Sequence, residues 1–217
     1  MDYKQAIREY STTTFHTVTD DSKYIELVHS GEDYFLRLEK LIERAEKEIH
    51  LQTYIFENDE TGNRIAACLK EAAQRKVKVY VLLDAYGSSA LPDSFAEDLI
   101  QHGILLRFFS PLFSLNNFYI GRRMHHKIVV ADKKIALIGG INIADKYHGT
   151  TASAPWLDYA VQLNCPAAKK KEAQKKYYLS YIRQVVHLWE FYKTTGYGEK
   201  QKSVMPTRMP LFMPKRK

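Results

Sequence analysis

The chain has 217 residues, of which 45% are hydrophobic, and its formal net charge is +7. This length and composition predict one domain with a single core, and the longest apolar runs, Val77 to Leu83 and Ile135 to Ile138, are too short to cross a bilayer. Two cysteines, Cys68 and Cys165, exclude a disulfide-rich scaffold, and the polar N-terminal segment lacks a signal-peptide core, so we expect a cytoplasmic protein.

Composition divides the chain into three predicted parts. Residues 1–22 form a polar N-terminal extension, residues 23–192 form the domain, and residues 193–217 form a basic tail rich in Pro and Met. The positive charge is concentrated from Cys165 onward, where thirteen Lys or Arg stand against three Glu. These runs suit an anionic membrane surface or a nucleic acid backbone, and a solvated helix face explains them equally well.

The first elements of the domain predict an alternation of helices and strands. Apolar residues from Tyr34 to Ala45 recur at helical spacing, with Asp33 as the expected cap. Glu48 to Phe56 has the composition of a strand, Ile65 to Ala73 returns to helical spacing, and Val77 to Asp84 is an almost continuous apolar run. A strand, a helix and a buried strand form a βαβ unit. We therefore expect an α/β fold with a mixed, mostly parallel sheet and helices on both faces.

The pattern continues with three further elements and a long connection. Pro92 to His102 is predicted to be a helix, Ile104 to Phe109 a strand, and Tyr178 to Trp189 a late helix. Between the strand and the next motif lies a loop from Ser110 to Met124. Loops of this length inside a compact domain are often lids or binding rims, so we expect this one to border a site.

The segment after this loop carries residues suited to phosphate chemistry. His125 and Lys127 are two apart, so on a strand they would project from the same face. The Lys127 ammonium would neutralise a phosphoryl oxygen. The imidazole, whose ordinary pKa is near 6.5, would serve as a nucleophile or proton donor at neutral pH.

Further polar residues follow at fixed spacing. Asp132 begins a predicted hairpin turn, and Gly139 and Gly140 are expected to let the backbone bend tightly and return Asn142 to the start of the hairpin. Singly, each residue is more often structural than functional. Five fixed positions at about 5% usage each should nevertheless coincide less than about once in 10⁴ chains of this length, so the joint pattern indicates function.

This pattern resembles the signature of the phospholipase D superfamily, His-x-Lys, four residues, Asp, six residues, then Gly-Gly or Gly-Ser, x, Asn. Further stretches resemble the first half of bacterial cardiolipin synthases over Tyr24 to Trp189: YIFENDETGNRIAACLKEAAQRKVKVYVLLDAYGS from Tyr54, GGINIADKYHG from Gly139 and PWLDYAVQLNCPAA from Pro155. Cys165 departs from the Gly that is usual there. The resemblance implies a phospholipase D-like fold and a phosphodiesterase or phosphatidyltransferase.

The resemblance also implies roles for individual residues. His125 would be the nucleophile that forms a phosphohistidine, or its partner acid. Lys127 and Asn142 would hold the phosphoryl oxygens, and Asp132 would orient or polarise a histidine. The family's chemistry needs no metal or other cofactor, and no Asp or Glu cluster accompanies His125 and its neighbour His126.

The resemblance implies a second histidine, which the family supplies from a second copy of the motif. The other six histidines of this chain lack a Lys two residues on, so we expect either a homodimer or a second catalytic lobe. The expected substrate is a phospholipid, at the inner face of a membrane. The alternatives are a single-motif dimeric nuclease, which would bind nucleic acid, and a catalytically silent lobe that binds phosphate or lipid.

Overall fold

The computed structural model describes residues 25–109, 113–114, 117–118 and 123–164. The described helices are α1 (Glu32–Arg44), α2 (Glu60–Gln74), α3 (Asp93–Gln101) and α4 (Asp145–His148). The strands are β1 (Ile25–His29), β2 (Glu48–Thr53), β3 (Lys78–Asp84), β4 (Leu105–Phe109), β5 (Phe113–Ser114), β6 (Asn117–Phe118), β7 (Ile128–Ala131), β8 (Ile135–Gly139) and β9 (Tyr159–Asn164). The predicted extension 1–22, the late helix from Tyr178 and the tail 193–217 lie outside the described residues.

Seven strands form one sheet in the order β1-β9-β8-β7-β2-β3-β4. The β2–β3 and β3–β4 pairs are parallel, as the βαβ prediction required. The other four pairs are antiparallel, so the expectation of a mostly parallel sheet was wrong. The reason is that β7 and β8 form a hairpin, while β1 and β9 extend the same antiparallel half.

The predicted helices form with modest shifts at their ends. The buried side chains of α1 are Tyr34, Phe35, Leu38, Leu41 and Ile42, the set expected from helical spacing. Gly31 rather than Asp33 occupies the cap position of this helix, and Asp33 lies in the first turn, where it pairs with Arg37. Asp59 caps α2 by accepting a hydrogen bond from the Gly62 backbone N–H at 2.8 Å.

The main core lies between the helices and one face of the sheet. Along β3, Val79, Val81 and Leu83 face this core, whereas Leu82 belongs to a separate small cluster with Met124. Buried residues of α1, α2 and α3 join the same main core. Burial on both faces explains why β3 is an almost continuous apolar run. Among the described residues, no helix is long and apolar enough to cross a membrane.

The predicted hairpin is confirmed. β7 and β8 pair antiparallel from Ile128↔Ile138 to Ala131↔Ile135. Three residues lie between the strands, and the first two, Asp132 and Lys133, have φ values of 53° and 57°. The backbone N–H of the third, Lys134, donates to the Ala131 carbonyl at 2.9 Å. Positive φ at both central positions of the turn from Ala131 to Lys134 matches the twist of the strands.

Candidate active site

His125 and Lys127 lie in the extended segment that leads into β7. The strand itself begins only at Ile128, so the prediction that both stand on a regular strand was wrong by one to three residues. The His125 side chain is exposed, whereas Lys127 is 4% exposed and its Nζ donates to the His125 carbonyl at 3.0 Å. The segment thus presents an imidazole to solvent and holds an ammonium just beneath it.

Tyr54 brings these two side chains together. Its ring centroid lies 5.0 Å from that of His125, and the Nζ of Lys127 lies 5.4 Å from the same Tyr54 centroid. An ammonium at this distance from an aromatic face is attracted by the ring. Sequence reasoning missed Tyr54 because its place depends on strand register: β2 pairs with β7 through Gln52↔Ile128, and Tyr54 follows β2 where His125 precedes β7.

The surroundings of Lys127 favour loss of its proton. Burial lowers the pKa of Lys127, and the Asp158 carboxylate partly opposes this effect. The nearby carboxylate favours the charged form of Lys127, and burial leaves little water to screen that charge. Such a charge stabilises a phosphoryl oxygen more strongly than an exposed lysine does.

Asp158 is a second residue that sequence reasoning missed. It lies just before β9, and its Oδ1 accepts a hydrogen bond from the Tyr159 backbone N–H at 2.7 Å. A Cβ on Gly140 would lie 2.2 Å from the same Asp158 oxygen, and a Cβ on Gly139 would lie 2.4 Å from the Tyr159 carbonyl oxygen. The two glycines therefore allow the end of β8 to approach the start of β9 and Asp158. Neither has a positive φ, so close packing explains them better than a tight bend.

Asn142 is buried beneath the same site. Its side chain is 2% exposed, its Oδ1 accepts a hydrogen bond from the Ile55 backbone N–H at 3.0 Å, and its Nδ2 donates to the Tyr147 hydroxyl at 2.7 Å. Asn142 thus holds the backbone next to Tyr54. A direct contact of Asn142 with phosphate stays a prediction.

Asp132 lies at the other end of β7 from His125. Its Oδ1 accepts hydrogen bonds from the Lys47 and Glu48 backbone N–H groups at 2.8 and 3.0 Å, and its Oδ2 accepts from Glu46 N–H at 3.0 Å. Asp132 is therefore separated by the length of β7 from the His125 of its own chain, and the prediction that it orients or polarises a histidine stays a prediction. Its carboxylate ties the hairpin turn to the start of β2.

The described residues contain no group of three or more His, Cys, Asp or Glu side chains arranged to hold a metal ion. His126 is exposed and has no such neighbours among them. The chemistry of this site within the described chain is therefore that of an imidazole, an ammonium, a phenol and a carboxylate. We expect the chemistry of this site to need no metal.

The sheet order and this constellation define a phospholipase D-type domain. The fold is similar to that of Nuc from Salmonella typhimurium, a phospholipase D family member, with a TM-score of 0.54 and 19% identity over 76% of this chain and 93% of that one. It is also similar to phosphatidylserine synthase from Haemophilus influenzae, with a TM-score of 0.54 and 17% identity over 84% of this chain and 46% of that one.

The chain belongs to the family described as cardiolipin synthase, PLD-like domain, whose model matches residues 38–185. It is 41% identical to cardiolipin synthase B of Escherichia coli over 145 residues, which is 65% of this chain and 35% of the relative. It is 36% identical to the minor cardiolipin synthase of Bacillus subtilis over 141 residues, 64% of this chain and 35% of that protein. The chain thus spans about a third of the length of these relatives, and the predicted resemblance is confirmed.

Proposed function

We propose that this chain is one catalytic half of a phosphatidyltransferase or phospholipase that acts on anionic phospholipids through a phosphohistidine on His125. The observation that carries the proposal is the exposed His125 imidazole standing over the buried Lys127 ammonium, both against Tyr54. The names of the relatives, cardiolipin synthases, favour a phospholipid substrate.

The reaction follows from these side chains in two steps. A ring nitrogen of His125 attacks phosphorus, the N–P bond forms, and the P–O bond to the leaving alcohol breaks while a second histidine donates a proton to that oxygen. Next an alcohol or water attacks phosphorus, the N–P bond breaks, and the second histidine takes the proton of the attacking hydroxyl. Lys127 neutralises a nonbridging oxygen in both steps, and the Asn142 amide is the proposed second contact.

The second histidine has to come from elsewhere, because no other histidine in this chain is followed two residues later by Lys. A second copy of the chain would supply it in a homodimer, and a second lobe would supply it in a longer enzyme. The chain spans about a third of the cardiolipin synthases that it matches, which favours the second lobe. In either case we place the assembly at the inner face of a membrane, where its substrate lies.

A single-motif dimeric nuclease is the second candidate. Two observations favour it. The net charge of +7 favours binding to a polyanion such as nucleic acid. The match to Nuc covers 93% of that chain, so the two domains are similar in length. A third candidate is a catalytically silent lobe. Binding as a function of salt separates the first two, because steep salt-sensitive binding to single-stranded DNA supports the nuclease and cosedimentation with anionic phospholipid vesicles supports the lipid enzyme.

The first experiment measures the mass of the purified chain in solution together with hydrolysis of bis(p-nitrophenyl) phosphate in the presence of EDTA. If the chain forms a homodimer, we expect turnover that resists EDTA and is lost in His125→Ala, with the folded state retained because His125 is exposed. Retained turnover in His125→Ala would refute the nucleophile. A monomer without turnover would mean that the chain needs a separate lobe, and turnover abolished by EDTA would refute metal-free chemistry.

A further inference from the structure

Asp84, the last residue of β3, has a carboxylate that is 0% exposed and fully engaged. Its Oδ1 accepts hydrogen bonds from the Tyr86 and Gly87 backbone N–H groups, each at 3.0 Å. Its Oδ2 accepts a hydrogen bond from the Met124 backbone N–H at 2.8 Å. Because Met124 immediately precedes His125, the hydrogen bond from Met124 to Asp84 fixes the backbone one residue before the proposed nucleophile.

Neighbouring contacts tighten the same backbone. The Nη1 of Arg123 lies 3.9 Å from Asp84 Oδ1, and its guanidinium lies 5.2 Å from the Tyr86 ring centroid. The His125 backbone N–H donates to the Arg123 carbonyl at 3.1 Å. Hydrogen bonds to an ionised carboxylate are shorter and stronger than neutral ones, so Asp84 restrains this segment more firmly than a neutral residue would.

The loop that follows Asp84, residues 85–92, holds the other wall of the site. The Ser88 hydroxyl donates to the Tyr54 carbonyl at 3.1 Å and accepts a hydrogen bond from the Phe56 backbone N–H at 3.1 Å. Gly87 approaches Tyr54 so closely that a Cβ there would lie 2.2 Å from the Tyr54 carbonyl oxygen. This loop therefore contacts the backbone of Tyr54, and Asp84, the residue just before the loop, binds the backbone next to His125.

We propose that Asp84 is a positioning residue for His125 and that the loop 85–92 sets the distance between the His125 and Tyr54 rings. The inference rests on the proposed function of His125. The two rings come from segments far apart in sequence, yet their centroids lie 5.0 Å apart. Asp84 binds the backbone before His125, and Ser88, four residues later in the chain, binds the backbone of Tyr54. Asp84 is fully buried and acts through Met124, so it is not itself a catalytic residue.

The test is Asp84→Asn in the full chain, with Asp59→Asn as a matched control. The asparagine has one oxygen where the aspartate has two, so its NH₂ group must face a backbone N–H and at least one of the three bonds is lost. Asp59 offers a similar carboxylate elsewhere in the fold: it accepts a hydrogen bond from Gly62 N–H in the first turn of α2 and one from the distant Asp145 N–H at 2.7 Å. Both variants lose comparable bonds, but only Asp84→Asn acts on Met124.

The first readout needs no turnover. The ring current of Tyr54 shifts the NMR resonances of the His125 ring protons. The hydrogen bond to the Asp84 carboxylate shifts the resonance of the Met124 amide proton. Asp84→Asn should change both resonances and Asp59→Asn should change neither. Unchanged His125 and Met124 resonances in Asp84→Asn would overturn the proposal. If Asp84→Asn does not fold, Ser88→Ala should shift the His125 ring protons, and their constancy there would equally overturn it.

The second readout is hydrolysis of bis(p-nitrophenyl) phosphate. A nucleophile displaced by about 1 Å loses on the order of 100-fold in rate, so Asp84→Asn should lower kcat by about 100-fold with KM nearly constant. A kcat equal to that of Asp59→Asn would overturn the positioning role. Wild-type protein and His125→Ala with equally negligible turnover would mean that the chain needs a separate lobe for turnover, and the NMR shifts would still decide the role of Asp84.

Discussion

Lys127 combines burial with a proposed catalytic role, and these two requirements conflict. A buried ammonium loses hydration that the Tyr54 ring and the Asp158 carboxylate restore only in part, which is why burial lowers the pKa of Lys127. Burying this charge therefore lowers the stability of the fold, while it strengthens the local electrostatic field. Residues of this kind often weaken the fold that carries them.

We expect Lys127→Met to lower turnover by about 100-fold or more and to leave the free energy of unfolding no lower than in the wild type. Methionine fills similar space without a charge. The measurements are phosphodiester hydrolysis and urea unfolding at neutral pH. A marked loss of stability in Lys127→Met would show that the ammonium is needed for folding rather than for phosphate.

The same pKa shift gives a dependence on pH. Because the folded chain releases the Lys127 proton at a lower pH than the unfolded chain does, the contribution of Lys127 to stability rises as the pH increases through its folded pKa. Turnover falls over the same alkaline range as the ammonium is lost. In Lys127→Met, the free energy of unfolding should not show this rise with pH. Urea unfolding of both proteins at several alkaline pH values measures the difference.

The Asp132 carboxylate ties the turn of the β7–β8 hairpin to the start of β2. Three consecutive backbone N–H groups, those of Glu46, Lys47 and Glu48, donate to the Asp132 carboxylate. Burial by itself would raise the pKa of Asp132, but these three bonds and the nearby Lys134 lower it overall. An element whose turn is tied in this way keeps its register with β2, and that register sets how Tyr54 meets His125.

We expect Asp132→Ala to lower the free energy of unfolding by about 2 kcal/mol or more at neutral pH, because it leaves three N–H groups without their charged acceptor. The wild type loses this contribution as the pH falls through the folded pKa of Asp132, so the two proteins should converge in stability at acidic pH. Urea unfolding from neutral to acidic pH measures both effects. A stability equal to that of the wild type at neutral pH would contradict the structural role.

At the scale of the whole molecule, the proposed reaction needs a second catalytic unit, whether it belongs to another copy or to another lobe. Among the described residues, the exposed apolar side chains Trp156 and Leu157 immediately precede Asp158, and Tyr86 is exposed beside Arg123.

If a homodimer is the active form, mixing subunits has a defined result. Refolding wild-type chain with an equal amount of His125→Ala chain should leave about a quarter of the dimers with two histidines, so activity per wild-type chain should fall by about half. Mixing the two proteins without unfolding them is the control. If the activity per wild-type chain stays the same in the refolded mixture, each chain works without a histidine from another copy.

The sequence determined the elements that depend on local pattern. The helical spacing of α1 and α2, the apolar run of β3 and the turn at Asp132 were all predicted, because periodicity and turn chemistry are properties of neighbouring residues. The motif from His125 to Asn142 was found in the same way. Its resemblance to the phospholipase D superfamily was then confirmed at the level of the family.

The tertiary structure decided everything that depends on distant pairing. β1 and β9 were not predicted, although residues 25–29 pair with residues 159–163, and this pairing makes the sheet mostly antiparallel. Tyr54 and Asp158 join the site only because β2 meets β7 and β8 meets β9 in their particular registers. The contacts of Asp132 with residues 46–48 were not predicted, because proximity in a motif is not proximity in space: an extended strand separates its ends, and only the packed sheet shows which ends meet.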